Sequence, residues 1–170
     1  MLLRRLEDGD LAFLHAMFLH AFFWRPDGPR RSLDEVLADP KLAKYVTGWG
    51  RAGDAGVVAT SDTGERLGAA WYRLFDRDDH SYGFVSSEIP ELGIATAEAH
   101  RGRGLGKELL EGLVQLARQE GRPALSLSVE VDNVRALRLY EHFGFQRVER
   151  VEHSWTMLLR LKPPGGVTEP

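Results

Sequence analysis

Apolar residues return at helical spacing early in the chain. Leu11, Leu14, Phe18 and Phe22 share one stripe, with further apolar residues between them and Asp10 standing where an N-cap would. The stretch LLRRLE ahead of them reads as a short opening strand, and WRPDGPRR behind them breaks the pattern with prolines and a glycine. Ser32 with Glu35 forms a capping-box pair, and Pro40 after Asp39 marks a second helix start. AGVVATSD and RLGAAWYRLF read as strands of a hairpin turning at Thr63–Gly64. The polar run DRDDHSYG then leads to SEIPELGIATAEA, a fourth strand with a proline near its start. Leu105, Leu109, Leu113 and Leu116 mark a helix that Gly121 ends, and ALSLSV alternates as a strand. DNVRALRLYEHFGF sets Ala136, Leu139, Tyr140 and Phe143 on one helix face, stopped by Gly144 at the C′ position. QRVERV and SWTMLLRL close the series as strands. This order predicts a mixed α/β domain in which residues 91–129 make a parallel strand–helix–strand crossover.

Composition narrows the picture without changing it. A chain of 170 residues fits one domain, expected over residues 1–162, with PPGGVTEP at 163–170 as a disordered tail. The net charge of −3 supplies no global basic field, so no nucleic-acid or membrane partner is expected and any basic site is local. There are no cysteines, which removes disulfides, thiolate metal sites and a cysteine nucleophile, and fits a cytoplasmic protein. MLLRRLEDGD lacks the apolar run of a signal peptide, and no window approaches the roughly 18 apolar residues of a membrane span.

The chemistry gathers in AHRGRGLGKELL, residues 99–110. Glycine admits positive φ and lets a ligand reach the backbone, while the first helical turn offers unpaired N–H groups and the positive end of the macrodipole. Together they suit a phosphate or pyrophosphate on the amides of residues 102–107, with Arg101 and Arg103 at the rim. The alternative is a tight turn that needs glycine only for its geometry. The dinucleotide fingerprint fails, because Lys107 stands sixth from Gly102; the P-loop fails because Arg101 stands where its first glycine belongs and Glu108 follows Lys107. What fits is R-x-x-G-x-G, from Arg101 through Gly104 to Gly106. After a strand and opening a helix, this resembles the acyl-CoA pyrophosphate loop of the GNAT superfamily of N-acetyltransferases.

A second pattern supports the resemblance. LSLSVEVDNVRALRLYEHFGF supplies Val129, Asn133, Ala136, Tyr140, Phe143, Gly144 and Phe145 in the order that family follows. The resemblance covers nearly all of residues 1–162. It implies a mostly antiparallel sheet of six to seven strands, with helices on both faces and the central parallel crossover. It also implies an enzyme that moves an acetyl or other acyl group from acetyl-CoA to a primary amine by direct attack, through a tetrahedral intermediate. Bacterial relatives of this type are soluble, and homodimers are common among them.

By the same resemblance, Ile94, Ala95 and Thr96 would offer main-chain donors to the thioester, and Arg101, Gly102, Arg103, Gly104, Leu105, Gly106 and Lys107 would hold the pyrophosphate. Asn133 and Ala136 would meet the pantetheine arm, with a helix cap as the alternative for Asn133. Tyr140 would protonate the departing CoA sulfur, with core packing as the alternative. Glu88 and Glu91 are the candidate bases for the amine; Glu91 is preferred, and Pro90 between them leaves the facing open. The chain departs from its relatives at Thr96 and Glu98, where valine and proline are common. Phe22, Phe23 and Trp24 stand where the acceptor site of such relatives usually lies, with ordinary core packing as the alternative for two of the three. No metal is expected: His80 and Ser81 break the calcium pattern of the acidic loop, and the histidines show no ligand spacing. A sensor that binds acyl-CoA without catalysis is the competing class.

Overall fold

The computed structural model describes residues 1–161. The elements are β1 (Leu2–Arg5), α1 (Leu11–Phe22), α2 (Leu33–Leu37), α3 (Pro40–Val46), β2 (Ala55–Thr60), β3 (Arg66–Arg73) and β4 (Glu91–Thr96), followed by α4 (Leu105–Gln119), β5 (Ala124–Glu130), α5 (Val134–His142), β6 (Gln146–Val151) and β7 (Ser154–Arg160). The tail expected to be disordered lies outside the described residues. Ser32 accepts the N–H of Glu35 at 3.2 Å while the Glu35 carboxylate takes that of Ser32 at 2.6 Å, so the capping box opens α2. Asp39 accepts the Lys41 N–H at 3.1 Å and opens α3 at Pro40.

Asp10 departs from expectation. Its carboxylate makes no cap bond to α1; it takes both guanidinium nitrogens of Arg4, at 2.6 and 2.9 Å, Nε of Arg66 at 2.7 Å and the Glu7 N–H at 3.0 Å. A buried carboxylate so surrounded sits well below the usual carboxylate range, with Arg4 as the main cause.

Strands run in the order β1-β2-β3-β4-β5-β7-β6. The expected crossover is present: β4 and β5 are parallel, with Glu91 opposite Ser126. The chain divides into two units, one of residues 1–73 and 93–113, the other of 74–92 and 114 onward.

In the first unit, Leu14, Met17 and Phe18 of α1 pack with Val36, Val46, Ala69 and Trp71. The Phe18 ring meets the Trp71 ring edge-on at 4.6 Å. Arg73, only 2% exposed, ends β3 against Asp54 with bonds of 2.9 and 2.6 Å. It also donates to the carbonyls of Lys44 and Thr47 at 2.9 and 2.7 Å, tying the last turn of α3 to the strand.

In the second unit, β5 pairs with β7 from Ala124–Arg160 to Glu130–Ser154, and β7 pairs with β6. Alternation buries Leu125, Leu127, Val129 and Met157. β6 exposes its charged residues along the edge and shifts register between Arg147 and Glu149, two features that discourage strand addition. The amphipathic α5 buries Leu137 and Tyr140 and ends as expected, the Phe145 N–H returning to the Tyr140 carbonyl at 3.0 Å.

Asp54→Asn leaves the Arg73 guanidinium buried without its counter-charge, so stability falls by about 3–5 kcal/mol. Urea denaturation reads this, and the double variant Arg73→Met, Asp54→Leu recovers part of the loss. An unchanged midpoint in Asp54→Asn contradicts the assignment.

Candidate active site

Between β4 and α4 the chain makes a 3-10 turn at Glu98–His100 and then the glycine turn. Gly102 and Gly104 both adopt φ +83°, which a side chain would strain. No atom lies within 4 Å of where a Cβ would stand at either, so both backbones face open space. Among the described residues, the N–H groups of Gly102, Arg103, Gly104, Leu105 and Gly106 donate to no carbonyl; the first main-chain bond of the turn is Lys107 N–H to Gly104, at 3.0 Å. This donor set at the start of a 15-residue helix fits the oxygens of a diphosphate. Leu105, Leu109, Leu110 and Leu113 are buried and fix the direction in which the helix end points.

Arg101, Arg103 and Lys107 are exposed around the turn. Lys107 reaches Glu111 at 3.9 Å. Arg101 donates through Nη2 to Nδ1 of His20 at 3.2 Å. No local pattern marks that partner, since the two residues are 81 positions apart. Ile94, Ala95 and Thr96 are half-buried along β4, and the Ala97 N–H bonds the Leu67 carbonyl at 2.9 Å.

The second unit holds Asn133, Ala136, Tyr140, Glu88 and Glu91. Asn133 accepts the Ala136 N–H at 3.3 Å, so the cap reading of Asn133 holds. Tyr140 is buried on α5, its ring 5.6 Å from that of Phe145. Burial alone pushes its phenol above the ordinary value, which keeps the proton in place at neutral pH. Glu91 is buried, and its Oε2 accepts the Gly83 N–H at 3.1 Å. Glu88, by contrast, is exposed in the turn before β4. Close by in sequence and in register, the buried hydroxyls of Ser81 and Ser126 have no hydrogen-bond partner among the described residues.

In the aromatic run, Phe22 and Phe23 follow the core alternative. Phe22 and Phe23 are half-buried against the α1 core, Phe22 meeting Phe18 at 6.1 Å and Tyr45 at 5.4 Å. Trp24 is half-buried too, under the Arg25 guanidinium at 4.8 Å. The stripe of α1 simply continues through its last turn. A hollow of about 240 Å³ beside Leu6, Leu11, Trp49 and Gly56 contains none of the predicted residues. Among the described residues no three His, Asp or Glu side chains are placed to hold a metal, and no helix is long and apolar enough to cross a membrane.

Residues 19–145 match the family described as the acetyltransferase (GNAT) family. The chain belongs to that family. A mycothiol acetyltransferase of Jonesia denitrificans is 33% identical over 130 residues, covering 76% of this chain and 38% of that protein. The chain thus spans well under half the length of this curated relative. The aminoglycoside N(6′)-acetyltransferase type 1 of Serratia marcescens is 28% identical over 127 residues, covering 74% of this chain and 77% of that one. The spermidine N-acetyltransferase of Vibrio cholerae, solved in complex with CoA and spermine, shares the GNAT fold with a TM-score of 0.64 at 20% identity, covering 94% of this chain and 95% of its own. The ribosomal-protein-alanine N-acetyltransferase of Brucella melitensis gives 0.69 at 22% identity, covering 95% and 100%. GNAT membership confirms the resemblance read from R-x-x-G-x-G and the asparagine–tyrosine helix.

Gly83 is required by close approach. A Cβ there would stand 2.6 Å from the Leu127 carbonyl carbon, 2.7 Å from the Ser128 nitrogen and 2.9 Å from Cδ of Glu91. Two of these are β5 main chain and yield little. Gly83→Ala lowers stability by about 1–3 kcal/mol in denaturant unfolding; an unchanged midpoint contradicts the packing of residue 83 on β5.

Proposed function

We propose that this protein transfers an acetyl group from acetyl-CoA to a primary amine of a small molecule or peptide. The observation that carries the reading is the set of five unpaired amides at Gly102–Gly106, in a chain that matches the GNAT family over residues 19–145. These amides take the diphosphate of the cosubstrate, and Arg101, Arg103 and Lys107 supply charge around it. Main-chain N–H groups among Ile94, Ala95 and Thr96 hold the thioester carbonyl oxygen. Asn133 and Ala136 meet the pantetheine arm, Asn133 through the amide nitrogen that its cap bond leaves available.

The amine nitrogen attacks the carbonyl carbon, the carbon–sulfur bond breaks, and Tyr140 gives its proton to the departing thiolate. The phenol holds its proton at neutral pH, as the role requires. Of the two glutamates, Glu91 takes the amine proton; its burial supports it over the exposed Glu88. No enzyme nucleophile is required, in agreement with a chain free of cysteine. The acceptor lies at the end of α1, on the edges of Phe22, Phe23 and Trp24. Relatives named for mycothiol, spermine/spermidine and aminoglycosides support an amine-bearing small molecule.

A panel of amines with acetyl-CoA, read by free thiol, tests the reaction: at least one amine gives thiol release above hydrolysis, and none doing so contradicts it. On the amine so found, Tyr140→Phe lowers kcat by about 100-fold, and undiminished turnover removes Tyr140 from the acid role. Gly104→Val strains the turn and covers the amides, weakening CoA binding by about tenfold or more. Unchanged affinity in a folded variant contradicts the diphosphate seat.

A further inference from the structure

His20 and Arg101 form a contact that the reaction leaves unexplained. Arg101 Nη2 lies 3.2 Å from His20 Nδ1. A guanidinium carries donors only, so the bond exists only when Nδ1 presents a lone pair, which fixes the ring as neutral with its proton on Nε2. A protonated ring has donors at both nitrogens and would face Arg101 as a second cation.

We propose that His20 is a positioning residue for the diphosphate seat: its Nδ1 holds the Arg101 guanidinium beside the free amides of residues 102–106, and protonation of the ring releases it. This rests on the acetyl-CoA reading of that turn. An exposed arginine on a loop loses rotamer freedom when it engages a phosphate, and a partner on α1 removes part of that loss before the ligand arrives. The guanidinium keeps other N–H groups for the ligand while Nη2 stays on the imidazole.

The charges around the ring agree with a neutral resting state. Arg101 and Glu98 face it from the β4–α4 connection and Arg30 from the segment between α1 and α2. Partial burial, with Arg101 and Arg30, holds the ring below the ordinary histidine value, and Glu98 opposes them. The bond is therefore made at neutral pH and lost as pH falls below the histidine range.

Calorimetric titration of the whole chain with CoA from pH 8 to 5.5, at fixed ionic strength, tests this on wild type, His20→Gln and His20→Ala. At pH 7.5, His20→Ala binds CoA about 3- to 10-fold more weakly, the worth of one hydrogen bond. His20→Gln, whose amide oxygen still accepts, stays within about twofold of wild type. Toward pH 5.5 wild type loses affinity relative to His20→Gln by a similar factor. Titration of the ligand's own phosphate is common to both and cancels in the ratio. A wild-type to glutamine ratio that stays flat or rises as pH falls, while CoA still binds, overturns the role of His20 alone. Absence of CoA binding at every pH overturns the reading of the turn, and the role of His20 with it.

Discussion

Five main-chain N–H groups without a carbonyl partner, gathered at the start of α4, set the terms for the rest of this molecule. Such donors are tolerated because the turn is open to solvent, and Gly102 and Gly104 hold positive φ on either side of Arg103. The buried leucines of α4 anchor the helix and with it the direction of its dipole. An anion is what this arrangement stabilises. The surrounding arginines add long-range charge, and His20 accepts a hydrogen bond from one of them, Arg101, at 3.2 Å.

Rigidity elsewhere serves the same end. Arg73 joins the end of β3 to the last turn of α3 through a buried ion pair and two carbonyls, and Asp10 gathers Arg4, Arg66 and the Glu7 amide. Arg73 and Asp10 are both buried charges inside the first unit, each with four hydrogen bonds. Their worth lies less in net stability than in the single arrangement they permit. In the second unit the burial of Tyr140 and the hold of Glu91 on the Gly83 amide do different work: one keeps a proton on a phenol, the other ties the segment before β4 onto β5.

Much of this was legible in the residues. The capping box at Ser32, the Pro40 start, the Thr63–Gly64 hairpin, the leucine repeat of α4 and the Gly144 stop each rest on local chemistry, and each is found in place. The glycine turn was legible for the same reason, as two positive-φ sites beside a helix start are written in the sequence itself. What escaped depends on residues far apart. Asp10 looked like a cap because nothing local reveals Arg66, which lies 56 positions away. The run Phe22–Trp24 could not be divided between core and surface, because a helical stripe does not say how far the core extends. His20 carries no local sign of its contact, because its arginine partner comes from another part of the chain.

The account stands on the claim that the amides of residues 102–106 grip the diphosphate. Amide-resolved nitrogen–proton NMR during titration with CoA addresses it most directly. The account predicts that the resonances of Gly102, Arg103, Gly104, Leu105 and Gly106 move together and saturate with the ligand, as donors do on meeting an anion. Saturation by CoA with those five resonances unmoved would contradict it.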